Sequence, residues 1–361
     1  MNREKSTNVG IDIFSGAGGM SIGAEWAGIN VEIAIENNIH AAETFAFNHP
    51  KTDVLIEDIC KISTTGIIKA LPFILFGGPP CQGFSQSNTK TRTDNNPNNS
   101  LFEQYLRFVS DLLPSWIVFE NVQGFQSFQK GRVVEELEKR LYSLGYKTQK
   151  AVLWASNYGV PQHRNRFFLV GNRIGIDYEF PKPLDYKVTV ADALSDLPSL
   201  SNGDSFAELP YKSDNFNKYT EFMRMNSVVA SQNFVSRNKE YVIKRYSHIL
   251  PGENWKSIPT ELMSNYSDIK NTHSGIYKRL NPNEPSVVIS NYRKNMLIHP
   301  IEHRGLSVRE AARLQSFPDD FIFKGSLTHI QQQIGNAVPP LLAYAVFKSI
   351  IDSTNGRRQQ F

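Results

Sequence analysis

The stretch VGIDIFSGAGGMSIGAEWAGINVEIAIE, residues 9–36, decides how the chain begins to fold. An apolar run over 9–14 has the length of a buried strand, and glycines at 16, 18 and 19 mark a tight turn. Residues 20–27 then carry a helical pattern before a second apolar run, 31–35, that ends in Glu36. Strand, glycine turn, helix and strand make a βαβ unit, which implies a parallel sheet. Gly16, Gly18 and Gly19 let a ligand approach the backbone at a helix N-terminus. Glu36, at the end of the second strand, suits hydrogen bonds from ribose hydroxyls.

The turn reads Gly16-x-Gly18-Gly19 with Ser21 where a dinucleotide fingerprint would carry its third glycine, so the match to a NAD site is imperfect. Asp58 follows the short apolar segment Val54-Leu55-Ile56 and could read the amino group of an adenine ring; standing alone it would be a turn acid on the surface.

Residues 73–86, FILFGGPPCQGFSQ, supply the next strand and the candidate nucleophile. The run 73–76 reads as a buried parallel strand. Gly77 and Gly78 end it, and Pro79 and Pro80 stiffen the chain ahead of Cys81. Cys81 therefore falls at the carboxyl edge of a sheet, where open α/β sheets bind their ligands. Its neighbours Pro80, Gln82, Gly83 and Ser85 give a core nothing to pack, whereas Cys60 alternates with Ile59 and Ile62 and reads as a packed side chain.

Residues 87–100 are polar and rich in turn formers, which reads as a mobile loop able to close over a substrate, with Lys90 and Arg92 suited to phosphates. Residues 101–113 have helical periodicity, 116–119 form a strand ending in Glu120-Asn121-Val122, and 131–144 form an amphipathic helix. Strands at 146–155 and 166–170 flank Gln162-His163-Arg164-Asn165-Arg166. From 185 to 282 apolar runs shorten, and aromatics alternate with bases, as in Lys244-Arg245-Tyr246 and Tyr277-Lys278-Arg279. That interleaving suits nucleic acid and reads as a second, smaller domain. Ser307 with Glu310 is a capping box for a helix, and 331–351 is an apolar helix that returns to the first domain.

The chain has 361 residues, is 40% hydrophobic and 20% charged, and carries a net charge of +4, which permits a polyanionic partner without requiring one. Two cysteines and no Cys-x-x-Cys or His-Glu-x-x-His pairing argue against a disulfide scaffold and a metal site. The N-terminal residues lack a signal peptide or membrane span, so a reduced cytoplasmic protein is expected.

Taken together, Asp12-Ile13-Phe14-Ser15-Gly16-Ala17-Gly18-Gly19, Pro80-Cys81-Gln82, Glu120-Asn121-Val122, Gln162-His163-Arg164-Asn165-Arg166, the run REAARLQSFP at 309–318 and Gly335-Asn336-Ala337-Val338 resemble, in this order, the DNA (cytosine-5) methyltransferases of bacterial restriction–modification systems. Ile13 stands where leucine is usual and Ser307 where threonine is usual. The resemblance implies a doubly wound, Rossmann-like sheet over 1–184, a target-recognition domain over 185–282 and a C-terminal segment, 283–361, returning to the catalytic domain. It implies catalysis by Cys81, Glu120, Arg164 and Arg166. S-adenosylmethionine would be bound by Phe14, Gly16, Gly18, Gly19, Glu36, Asp58, Ile59, Pro80, Asn336 and Val338. Double-stranded DNA would be met by Gln82, Ser85, Lys90, Arg92 and Gln162, and a cognate restriction endonuclease would act on the same sequence, with no metal and no membrane involved. A tRNA-directed relative is disfavoured because its Cys-Phe-Thr signature is absent. An NAD-dependent oxidoreductase would leave Cys81, Glu120 and the arginines unexplained, and intact Pro-Cys-Gln and Glu-Asn-Val argue against a binding protein without catalysis.

Overall fold

The computed structural model describes residues 8–68, 71–80, 100–213, 216–265, 275–294 and 296–358. By contact the chain divides into two compact units: Met1–Trp154 with Asn165–Pro183 and Pro340–Phe361, and Ala155–Arg164 with Leu184–Pro339.

The first unit holds β1 (Val9–Ile13), α1 (Gly19–Trp26), β2 (Asn30–Ile35), α2 (Ile39–Asn48), β3 (Asp53–Leu55), β4 (Ile74–Gly77), α3 (Ser100–Leu112), β5 (Trp116–Asn121), α4 (Arg132–Ser143), β6 (Lys147–Trp154) and β7 (Asn165–Asn172). The strands form one sheet in the order β3-β2-β1-β4-β5-β7-β6. Strands β1 to β5 pair in parallel, and β7 runs antiparallel to both β5 and β6. This is the open α/β sheet that residues 9–36 and 73–76 imply.

The order fixes where a ligand binds. From β1 the chain winds outward through β2 and β3, then crosses to β4 on the other side of β1. The carboxyl ends of β1 and β4 therefore diverge at a topological switch point, the crevice such sheets use for ligands. Beneath it, Ile11, Ile13, Leu75, Ile117 and Phe119 share one core with Tyr105 and Val109 of α3 and Leu137 of α4. The apolar faces of α3 and α4 supply the helical side of that core at the expected spacing.

The second unit contains α5 (Val190–Leu194), β8 (Ser205–Leu209), α6 (Lys218–Arg224), β9 (Ala230–Phe234), α7 (Glu240–Tyr246), α8 (Val308–Leu314) and α9 (Leu327–Asn336). Helix α8 begins at the Ser307–Glu310 capping box read from the sequence. Its side chains explain why 283–339 belongs here rather than returning to the first unit at 283. Arg313 ion-pairs with Asp196 at 3.0 Å and Asp319 at 2.6 Å, and Arg309 donates to Ser231 O at 3.1 Å. Residues 155–164 join the same unit because Gln162 bridges to Ser286 as a short parallel pair.

The chain returns to the first unit at α10 (Pro340–Arg358). The single apolar helix expected over 331–351 is thus two helices. Val338 precedes a proline and is biased away from helical geometry, while Pro340, lacking an N–H, suits the first position of a new helix. The window 327–356 is apolar and long enough to span a membrane by composition. It is broken at Pro339, however, and buries Leu342, Val346, Phe347 and Ile350.

Candidate active site

The loops after four strands, β1 to β4, carry the cofactor-site residues expected in the first unit. The loop after β1 is strained in the way its glycines permit: Phe14, Gly16 and Gly18 all have positive φ, at 63°, 56° and 98°. Glu36, one residue beyond β2, pins it. Its carboxylate accepts the Gly16 N–H at 2.8 Å and the Asn38 N–H at 2.7 Å. Below the loop the buried His49 Nε2 lies 2.6 Å from where a Cβ on Gly18 would stand, and His49 Nδ1 meets Glu25 Oε1 at 2.9 Å. Gly18 therefore answers both a left-handed φ and a close neighbour. At Gly16 a Cβ would meet nothing within 4 Å among the described residues.

After β3, Asp58 caps a 3-10 turn, Ile59–Lys61, and accepts the Cys60 N–H at 2.9 Å. That N–H holds the Asp58 carboxyl below the usual carboxylate range, so Asp58 is an ionised acceptor. Ile59 is buried in the core. Cys60, expected to pack, is instead exposed, because a 3-10 turn turns successive side chains through about a third of a circle. Partial burial first, and Asp58 second, push its thiol up, away from the reactive thiolate.

The loop after β4 is built against the end of β5. Asn121 donates its side-chain N–H to Pro79 O at 3.1 Å. Glu120 lies under Gly78 so closely that a Cβ on Gly78 would stand 2.5 Å from Glu120 Oε2. Across β7, Arg166 Nε meets Glu120 Oε1 at 2.9 Å, with both side chains nearly buried. Glu120, Arg166 and the Gly78-Pro79-Pro80 segment thus converge at one end of the sheet. Cys81, the residue that follows Pro80, lies outside the described residues, as do Gln82, Ser85, Lys90 and Arg92.

The remaining expected site residues belong to the second unit. Arg164 is buried, and its guanidinium donates to Ile289 O at 3.0 Å and Gly335 O at 2.8 Å. Gln162 corrects the expectation of a DNA contact. It is fully buried, its amide donating to Leu314 O at 3.1 Å and Gln315 Oε1 at 2.9 Å while its carbonyl accepts the Ile289 N–H at 2.8 Å. Asn336 ends α9, and Val338 is buried just beyond it. No group of three or more His, Cys, Asp or Glu able to hold a metal occurs among the described residues.

Sequence reading missed Asn121 as the anchor of Pro79 and Gly78 as the seat of Glu120. A glutamate at a strand end whose neighbouring strand ends in two glycines was the signal for the second.

The open, mostly parallel sheet, with acids beyond successive strand ends and a glutamate–arginine pair beside a proline-stiffened loop, defines an α/β fold of the doubly wound class. The family model for C-5 cytosine-specific DNA methylases matches residues 9–352, and the chain belongs to that family. It is a DNA (cytosine-5) methyltransferase. It is 34% identical to the Type II methyltransferase M.DdeI of Desulfomicrobium norvegicum, over 94% of this chain and 88% of that protein. It is 33% identical to the Type II methyltransferase M1.HphI of Haemophilus parahaemolyticus, over 94% and 86%. Among solved structures it is similar to a prophage-encoded Escherichia coli protein assigned as a DNA modification methyltransferase. That likeness has a TM-score of 0.81 and 29% identity over 97% of this chain and all of the other.

Proposed function

We propose that the enzyme transfers a methyl group from S-adenosylmethionine to carbon 5 of a cytosine turned out of double-stranded DNA at a specific sequence, through a covalent adduct between Cys81 and carbon 6. In this reading it is the protective methylase of a restriction–modification system, in keeping with its Type II relatives. The observation that carries the proposal is the Glu120–Arg166 pair seated against Gly78, three residues before Cys81.

S-adenosylmethionine, when bound, supplies an electrophilic methyl on a sulfonium sulfur. The first unit has groups to hold it. Among the described residues nothing lies within 4 Å of a Cβ on Gly16, Glu36 retains acceptor capacity for ribose hydroxyls beyond its two backbone bonds, and Asp58 is an ionised acceptor for an adenine amino group.

Carbon 5 of cytosine is a weak nucleophile. Addition of the Cys81 thiolate at carbon 6 turns the ring into an enamine whose carbon 5 can attack a methyl group. Glu120 holds the N3 and amino edge and protonates N3 as charge moves onto it, and Arg166 steadies both Glu120 and the base oxygen. A solvent water then takes the carbon-5 proton, which re-forms the double bond and expels Cys81 as thiolate, while N3 returns its proton to Glu120. Arg164 acts at a remove, tying the carbonyls of Ile289 and Gly335 together. Extrusion of the base costs a few kcal/mol, which contacts from the 81–99 segment and from residues 185–282 would offset.

The test is covalent trapping. With S-adenosylmethionine and DNA containing 5-fluorocytosine at the enzyme's site, the carbon-5 fluorine cannot leave as a proton does. The wild type should therefore form a denaturation-resistant complex whose cross-linked peptide contains Cys81. Turnover by Cys81→Ser, or a cross-link at another residue, would sink the nucleophile assignment.

A further inference from the structure

Helix α3 begins at Ser100, directly after the segment that carries Cys81, and its Arg107 reaches to the turn that carries Asp58. Arg107 donates from Nη2 to Ile59 O at 2.7 Å and from Nη1 to Ile62 O at 3.1 Å. The guanidinium is itself set in place by Gln104, whose Oε1 accepts from Nε at 2.7 Å, and by the Phe108 ring 4.8 Å below. One turn further along α3, Asp111 accepts from Thr64 Oγ1 at 2.7 Å. The 3-10 turn is therefore closed from within by Asp58, on the Cys60 N–H, and clasped from outside by α3.

We propose that Arg107 is a positioning residue for the cofactor, fixing the turn that presents Asp58 and Ile59 to the adenine ring. The inference rests on the assignment of that turn to adenine made above. Two carbonyls three residues apart need two N–H groups in a rigid fork, which a guanidinium supplies and an ammonium supplies less well.

The experiment measures KM for S-adenosylmethionine, kcat at saturating cofactor, and inhibition by adenosine alone, in wild type, Arg107→Met, Arg107→Lys and Asp58→Ala, with melting curves on each. Methionine keeps the apolar stem over Phe108 and removes the fork. Arg107→Met should raise both the cofactor KM and the adenosine inhibition constant about tenfold, the scale of a lost charge-assisted bond, with a smaller fall in kcat. Arg107→Lys should recover part of the loss. If Asp58→Ala weakens adenosine while folded Arg107→Met or Arg107→Lys does not, the positioning role is overturned and the adenine assignment stands. If Asp58→Ala also leaves adenosine unaffected, the adenine assignment fails and the inference with it. A fall in kcat at unchanged KM would likewise refute the role.

Discussion

Gly78→Ala probes the site without replacing a proposed catalytic group. The added Cβ would stand 2.5 Å from Glu120 Oε2, against the 3.4 Å at which ordinary contact begins, so the two must separate by roughly 0.9 Å. Glu120 cannot yield freely, because it is nearly buried and its other oxygen meets Arg166 at 2.9 Å. A displacement of about 1 Å in a group that must meet the base is worth on the order of 10²-fold in rate. Single-turnover methylation, with cofactor and DNA saturating, reads that step free of binding. Melting curves should show Gly78→Ala folded and cofactor affinity should be near normal, since the Gly16 loop and Asp58 are untouched. A wild-type single-turnover rate would refute the reasoning, because Glu120 would then not need to sit where the structure holds it.

Other perturbations separate the parts. Glu120→Gln should slow the chemical step by about 10²- to 10⁴-fold while Glu36→Ala mainly weakens cofactor binding, and exchanged phenotypes in single-turnover kinetics would contradict that division. Burial alone would raise the Glu310 carboxyl, but Arg304 beside it prevails and holds it at about 2, against an ordinary 4.5. A depressed carboxyl stabilises the fold above its unfolded value and loses that contribution as pH falls through the folded one. The stability gap between wild type and Glu310→Gln should therefore be about 3 kcal/mol above pH 4.5 and close toward pH 2, and a gap independent of pH would reject this. A chimera taking 185–282 from a methylase of different specificity should methylate the donor's sites, provided the donor keeps an acid at position 196. Asp196→Ala should itself cost about 3–5 kcal/mol in denaturant unfolding by leaving the buried Arg313 short of a partner. Retention of the original sites by a folded, active chimera would move recognition elsewhere.

What the sequence made legible was local. The strand–turn–helix–strand of 9–36, the buried strand after 73 and the Ser307 cap each depend on residues within one turn or one strand of each other. What it concealed depends on distance. Aromatics interleaved with bases suggested a nucleic-acid surface, yet Tyr246, Tyr277, Arg245 and Arg279 are buried. Arg279 spends its guanidinium on Ile249, His299, Glu302 and Tyr246 carbonyls and on His303, and Arg245 donates to Leu262 O and Tyr277. Arginine clasps backbone as readily as phosphate, and composition does not distinguish the two. In the aromatic–basic pairs Tyr211-Lys212, Lys218-Tyr219 and Lys244-Arg245-Tyr246 the exposed basic members are lysines, Lys212, Lys218 and Lys244. Gln162 misled for the same reason, since an amide that suits a base edge also suits the three backbone and side-chain partners it finds inside. Of the site, the residue types at each strand end were readable, but the seating of Glu120 under Gly78 and the hold of Asn121 on Pro79 needed the order of the strands.

The central claim, cytosine-5 methylation of a specific DNA sequence through Cys81, is tested most directly by base-resolution sequencing that reads 5-methylcytosine in a methylation-free bacterial host expressing either the wild type or Cys81→Ser. The account predicts 5-methylcytosine at one recurrent sequence with the wild type and none with Cys81→Ser. Methylation by the mutant, a different methylated base, or an unmodified chromosome in cells holding folded wild-type protein would contradict it.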